Sequence, residues 1–330
     1  MRTPFRRLRA PVAALIGALA MFAATAPATA QTAWPDHPIK FVVPFTPGGA
    51  NDLIGRAAAE GVSKRLGVPV VVENKPGAGA MVGADYVAKA KPDGYTFLVG
   101  AVGVVTNSLL HAKMPYADSD LVPVGMIAVA PSVIVVHPSV PANNLKEFVA
   151  WAKAQGATGV NFSTAGGGST PHFVSEMLKE ATGINFVIVP YKSGSEGVVA
   201  VMSNNVSATS EASIVILPQV KAGKVKALAT TYVTRISAYP SIPTTAEEGY
   251  PTVRIGHWAG LFAPRGTPQP IIDKMSAELQ AALKTKEMQD QLVPSGLELV
   301  PGTVAEFVTF INGERERLGK VAKAAKMTPD

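Results

Sequence analysis

The 330-residue chain contains no cysteine. It can therefore form no disulfide, build no thiolate metal site and offer no cysteine nucleophile, and no lipid can be attached to a cysteine behind a leader. Histidine is scarce as well. The five present (His37, His111, His137, His172, His257) stand singly, with no spacing that sets two ligands on one metal. No Gly-x-Ser-x-Gly elbow occurs; Gly194-Ser195-Glu196-Gly197 comes nearest and lacks the spacing. Neither glycine-rich turn after a strand is followed by Lys-Ser or Lys-Thr, which excludes a P-loop. Gly77-x-Gly79-x-x-x-Gly83 has the wrong last interval for a dinucleotide fingerprint and follows the second strand rather than the first. The expectation is a chain with no catalytic residues, no metal and no cofactor. His172, at a helix start beside three glycines, is the sole sensible candidate for a catalytic base.

Charge is also sparse, at 16% of residues, against 47% hydrophobic ones, which suits a globular α/β protein. The formal charge of +6 is a property of the first thirty residues, where Arg2, Arg6, Arg7 and Arg9 meet no acid. Without those four, 26 basic side chains face 24 acidic ones, so neither nucleic acid nor an anionic membrane is expected as a partner. The same thirty residues carry an apolar run from Val12 to about Ala24 and end in Ala28-Thr29-Ala30, the pattern of a secretory signal cleaved after about Ala30. The run falls short of the roughly 20 apolar residues that span a bilayer. Residues 1–30 are thus expected to be a signal peptide, and the rest to be an exported periplasmic protein, not embedded in the membrane and monomeric.

What the chain does have is strand–turn–helix alternation. Ile39–Phe45 reads as a strand, after which Ile54, Ala58, Val62 and Leu66 recur at helical spacing until Gly67. Val68–Glu73 and Tyr95–Gly100 read as further strands around a helix through Tyr86, a spacing that predicts βαβ units and a mostly parallel sheet. Val124–Val129 and Ser132–His137 are expected as two strands broken at Ala130-Pro131. Asn144–Glu147 has capping-box spacing. Gly159–Ser163, Ile184–Pro190, Val206–Thr209 and Val225–Thr230 are expected strands, with helices between them. Thr170-Pro171 is expected as N-cap and first helical residue, with Phe173, Val174, Met177, Leu178 and Ala181 inward. A short helix is expected near Thr245–Glu248, then a strand over Arg254–Pro264. Helices from Pro268 and from Thr303-x-x-Glu306 close the chain.

Two glycine turns carry the functional reading. The first is Phe45-Thr46-Pro47-Gly48-Gly49-Ala50-Asn51-Asp52; the second is Thr164-Ala165-Gly166-Gly167-Gly168-Ser169-Thr170-Pro171-His172. Each ends a strand and opens a helix, which aims free N–H groups and the positive end of the helix at one point. Together they are expected to face one cleft and hold a small carboxylate. Asp52, itself an anion, is expected to organise its loop. Tyr191 either flanks the ligand or fills the cleft wall. Trp258 is expected in the hinge or core.

These segments resemble the Bug/TctC family, the extracytoplasmic solute-binding receptors of tripartite tricarboxylate transporters. The likeness runs through Trp34-Pro35, Pro44–Asp52, Val72–Gly79, Ala88–Thr96, Gly166–His172, Pro190-Tyr191-Lys192, Ile242–Gly249 and Trp258–Pro268. It implies a two-lobed type II periplasmic-binding-protein fold, each lobe a mostly parallel sheet flanked by helices. Lobe 1 would hold residues 31–129 and 257–330, and lobe 2 residues 130–256. It further implies a ligand between the lobes: a di- or tricarboxylate, an acidic amino acid or an aromatic carboxylate. The ligand would be held by Phe45, Thr46, Pro47, Gly48, Gly49, Asn51 and Asp52 on one side. Thr164, Ala165, Gly166, Gly167, Gly168, Ser169, Thr170, His172, Tyr191 and Ser210 would hold it on the other. Delivery to integral-membrane transporter subunits would follow; a sensor feeding a signalling receptor is the alternative, and an enzyme acting on a carboxylate a more distant one. One departure stands out. Ser203-Asn204-Asn205 and Ser210-Glu211-Ala212 replace the family's usual Gly-Gly pair and aromatic-Asp-Asn segment.

Overall fold

The computed structural model describes Met1 and residues 34–327. The chain divides into two compact units, Met1–Asp36 and His37–Asp330. The expected signal peptide lies outside the described residues, and every described helix and strand belongs to the second unit. No described helix is long and apolar enough to cross a membrane.

The second unit begins as a run of βα units. Strand β1 (Ile39–Val43) is a buried apolar run that feeds helix α1 (Ala50–Leu66), whose Ile54, Ala58 and Val62 face the core. Strand β2 (Val70–Asn74), helix α2 (Met81–Ala88) and strand β3 (Thr96–Gly100) follow, and β1 lies parallel to both β2 and β3. Helix α3 (Gly103–Leu110) was not foreseen from the sequence. Its Gly-Val-Val-Thr start has weak helix propensity and no capping side chain, so tertiary packing sets it.

The expected break at Ala130-Pro131 is absent, because β4 is one 16-residue strand, Leu121–Val136. What changes there is the partner. Residues Leu121 to Pro131 pair antiparallel with β9 (Gly256–Pro264), and Ser132 to Val136 pair with β7 (Ala208–Ala212). Proline has no N–H to give a ladder, and Pro131 sits where one ladder ends and the next begins, so a donor is missing where it costs least.

The second half of the sheet repeats the pattern. Helix α4 (Leu145–Ala154) starts on Asn144, whose side chain accepts the Glu147 N–H, and leads to β5 (Val160–Thr164). Helix α5 (Thr170–Thr182) follows, with Ser169 rather than Thr170 as N-cap. Its inward face holds Phe173, Val174, Met177 and Leu178, but Ala181 is exposed, rotated out of the stripe. Strand β6 (Phe186–Pro190) leads to helix α6 (Gly194–Met202); after β7 come helix α7 (Ser213–Lys221) and strand β8 (Lys226–Thr230). Strand β5 is parallel to β6 and β7. Residues 245–249 form turns rather than the expected short helix: Thr244 and Glu247 make a capping box, but Gly249, at φ +95°, ends the segment after one turn. The sheet order is β2-β1-β3-β9-β4-β7-β5-β6, with β8 also on β4.

Helix α8 (Gln269–Leu283) and helix α9 (Lys286–Leu292) lead to the two-residue strand β10 (Glu298–Leu299) on β4. Helix α10 (Val304–Ala324) closes the unit. Thr303 and Glu306 form its capping box as expected, and Phe307 and Phe310 pack edge-on against the ring of the fully buried Trp258. The fold is thus mixed α/β and two-lobed, with β4 running through both halves of the sheet.

Candidate functional site

In each half, the C-terminal ends of the parallel strands and the helix starts that follow them point to the same side of the sheet, where α/β proteins place ligands. The first loop is anchored before any ligand arrives. Asp52 is buried, and its carboxylate accepts the Gly48 N–H at 2.9 Å, the Arg56 guanidinium at 2.9 and 3.0 Å, and the Asn74 amide at 2.8 Å. Burial alone would raise its pKa. The donors from Arg56, Gly48 and Asn74 outweigh that and hold the carboxyl below its ordinary value. Asn74 also donates to the Phe45 carbonyl at 3.0 Å, so the end of β2 fixes the turn after β1. The role expected of Asp52, organising the loop, is the one its hydrogen bonds describe.

The second turn is self-closed. Ser169 donates to the Gly166 carbonyl at 2.6 Å, and His172 Nδ1 accepts the Gly168 N–H at 3.2 Å. Thr106 from α3 donates to the Gly168 carbonyl at 2.9 Å, which ties the turn to the opposite side of the cleft. Gly168 has φ +74°, a left-handed conformation that strains any other residue, and a Cβ there would also crowd Leu110 at 2.9 Å.

Between the two turns lies a narrow inner chamber. Phe45, Gly49 and Asn51 line it from the first turn, and Ala165, Gly168, Ser169 and Thr170 from the second. Neither α1, with Gly49 at its N-cap, nor α5, with Ser169 there, has a side-chain cap, so their first N–H groups are left to other partners. Asn51 is 8% exposed, and its Nδ2 has no hydrogen-bond partner. No lysine or arginine among the described residues lines the chamber. Any anion there must be met by neutral donors and helix ends.

The remaining expected residues are distributed less simply. Gly166, Gly167 and Tyr191 line an outer vestibule that also has Phe45, Gly79 and Ala165 in its wall and so adjoins the chamber. Thr46, Pro47, Gly48, Asp52, Thr164, His172 and Ser210 line neither space. His172 supports the turn through Gly168, and the buried Ser210 hydroxyl lies 2.5 Å from that of Ser132.

Several lining residues were not expected. Val102 and Gly103 bring the start of α3 to the chamber, and Ser193, Gly194 and Ser195 bring the start of α6. Ser193-x-x-Glu196 is the signature of a helix start directly after a strand and could have marked the second of these; Ser193 does accept the Glu196 N–H. The titratable lining residues are Glu211 and His257. Glu211 is 4% exposed and its Oε1 accepts the Ala212 N–H at 2.8 Å; burial, partly offset by that bond, pushes its pKa up to about 7. Burial pushes His257 down to about 3. The His257 Nε2 lies 3.5 Å from Glu211 Oε1, close enough for an ion pair but long for a hydrogen bond, and burial keeps both groups neutral near pH 6. No cluster of potential metal ligands occurs among the described residues.

The profile of the tripartite tricarboxylate transporter family receptor matches residues 54–327. The protein BugT of Bordetella pertussis is 33% identical over 316 residues, covering 94% of this chain and 96% of its own. Among solved structures, periplasmic binding protein BugD superposes with a TM-score of 0.85 at 32% identity, covering 89% of this chain and 99% of its own. Rpa4515 of R. palustris, solved with adipate, gives 0.87 at 31% identity, covering 90% and 100%. The fold and the cleft are those of a periplasmic solute-binding protein, and the chain belongs to the tripartite tricarboxylate transporter receptor family, the Bug/TctC family.

Proposed function

We propose that this protein is a periplasmic receptor that captures a small organic acid in its inner chamber and hands it to the membrane subunits of a tripartite tricarboxylate-type transporter. The observation that carries the reading is the uncapped starts of α1 and α5 in the lining of one chamber, with the partnerless Asn51 Nδ2. A carboxylate placed there accepts several N–H bonds at once, each worth about 1.5–3 kcal/mol when one partner is charged. No counter-cation is needed. The adipate bound by Rpa4515 is an acid of this class.

Lobe 1 is taken as residues 31–129 with 257–330 and lobe 2 as 130–256; the change of ladder at Pro131 and the start of β9 at Gly256 support those limits. Capture then proceeds by rotation about these two crossings, closing the lobes on the ligand and expelling water from the chamber. Thr106 on Gly168 is a contact that closure makes and opening breaks. Of the expected ligand-binding residues, Phe45, Gly49, Asn51, Ala165, Gly168, Ser169 and Thr170 touch the ligand in this reading, and Tyr191 stands at the mouth. Catalysis forms no part of it, since the base candidate His172 already serves the turn through its Nδ1.

Calorimetry with the mature protein and a panel of mono-, di- and tricarboxylates tests the reading. Saturable one-to-one binding of at least one acid is expected. A folded sample that binds none of them would overturn it.

A further inference from the structure

Glu211 sits in the chamber where a carboxylate receptor has little apparent use for another carboxylate. It lies on β7, opposite Val133 of β4, at the end of the chamber wall formed with Ser193, Gly194 and His257. One of its oxygens, Oε1, is partnered by the Ala212 N–H. The other, Oε2, has no hydrogen-bond partner among the described residues, although the residue is almost fully buried. The carboxylate also packs against the start of α6. A Cβ on Gly194 would fall 1.4 Å from Glu211 Oε2, so the oxygen occupies the space that any other residue at 194 would fill. Among the described residues no Lys or Arg lines the chamber, and the neighbouring imidazole of His257 is held neutral by burial.

The chamber wall therefore holds both the uncapped starts of α1 and α5 and an acceptor oxygen, Glu211 Oε2, with nothing to accept. Resting on the carboxylate reading above, we propose that Glu211 selects the ligand's second group. The favoured acid carries a hydrogen-bond donor away from its carboxylate, an ammonium or a hydroxyl, rather than a second carboxylate. A donor completes Oε2, and an ammonium also supplies the cation that the wall lacks. At pH 7.5, above its pKa of about 7, Glu211 is mostly ionised, and a second carboxylate would meet a like charge in a space from which closure removes water.

The test is calorimetry at pH 7.5 on the mature protein with matched two- to six-carbon acids bearing a terminal methyl, hydroxyl, ammonium or carboxylate group. At the best-fitting length, the hydroxy or amino acid should bind at least ten-fold more tightly than the dicarboxylate. In Glu211→Gln the preference over the dicarboxylate should fall at least ten-fold. A dicarboxylate that binds wild type most tightly would overturn the inference without needing any variant, as would a preference unmoved by Glu211→Gln. Equal binding of all four end groups would refute the role of Glu211 and leave carboxylate capture standing. No binding by any of them would remove both.

Discussion

Replacing Glu211 with Gln should change how the stability of the protein depends on pH, and the sign follows from burial. The folded-state carboxyl is raised from 4.5 to about 7, so the folded protein keeps this proton to a higher pH than the unfolded chain does. Stability from this group is complete below about pH 4.5 and is lost as the pH climbs towards 7. At about 1.4 kcal/mol per unit, the loss across that window is about 3 kcal/mol. His257 works in the opposite direction. Its pKa falls from 6.5 to about 3, so its contribution is complete above about 6.5 and is lost as the pH drops. Between pH 4.5 and 6.5 the two slopes oppose each other, and wild type should be nearly flat there. Glu211→Gln keeps the shape and removes the titration, which unmasks His257: the variant should gain about 1.4 kcal/mol per unit across the same interval. Urea unfolding of both proteins at half-unit steps from pH 4 to 8 measures the difference. The variant should gain about 3 kcal/mol on wild type between pH 4.5 and 7. A constant difference, or one that moves against the variant as the pH rises, would refute the reasoning, since it would mean that Glu211 is ionised and paired with His257.

Other substitutions probe other parts of the site. Asn51→Ala should weaken ligand binding about 10- to 100-fold with little change in melting temperature, because the Nδ2 it removes has no partner in the free chamber; calorimetry and thermal melts check both halves. Asp52→Ala should cost about 3 kcal/mol in chemical denaturation by stranding the Gly48 N–H, the Asn74 amide and the Arg56 guanidinium. Its contribution should be present at neutral pH and fade in strong acid, since its carboxyl is held below the ordinary value. Gly194→Ala must push the Glu211 carboxylate aside and should lower affinity at least ten-fold, with a smaller loss when Glu211→Ala is also present.

The βα rhythm around Phe41, Ile54 and Val62 could be read from apolar spacing alone, as could the caps at Asn144 and Thr303, because these signals are local. The continuity of β4 could not. Ala130-Pro131 looks like a break on its own, and only the neighbouring ladders reveal that a strand can pass from one partner to another there. Helix α3 was hidden for a related reason, its β-branched start being overruled by packing. At the site, the backbone-rich turns announced themselves through glycine. Glu211 was marked only as part of the Ser210-Glu211-Ala212 departure and His257 not at all, because a lone acid and a lone histidine look like surface or core residues until the fold brings them to one wall. Thr46, Gly48 and Thr164 belong to the same turns as the lining residues but line neither space, a distinction that sequence adjacency does not contain.

The central claim is that the starts of α1 and α5 meet on a single carboxylate, and a crystal structure of the mature protein with its tightest-binding acid tests it most directly. The account predicts a carboxylate within hydrogen-bonding distance of N–H groups near Gly49–Asn51 and near Gly168–Thr170 at the same time, with the Asn51 amide engaged. A ligand bound in the outer vestibule with its carboxylate on Lys192, leaving the inner chamber untouched, would contradict it.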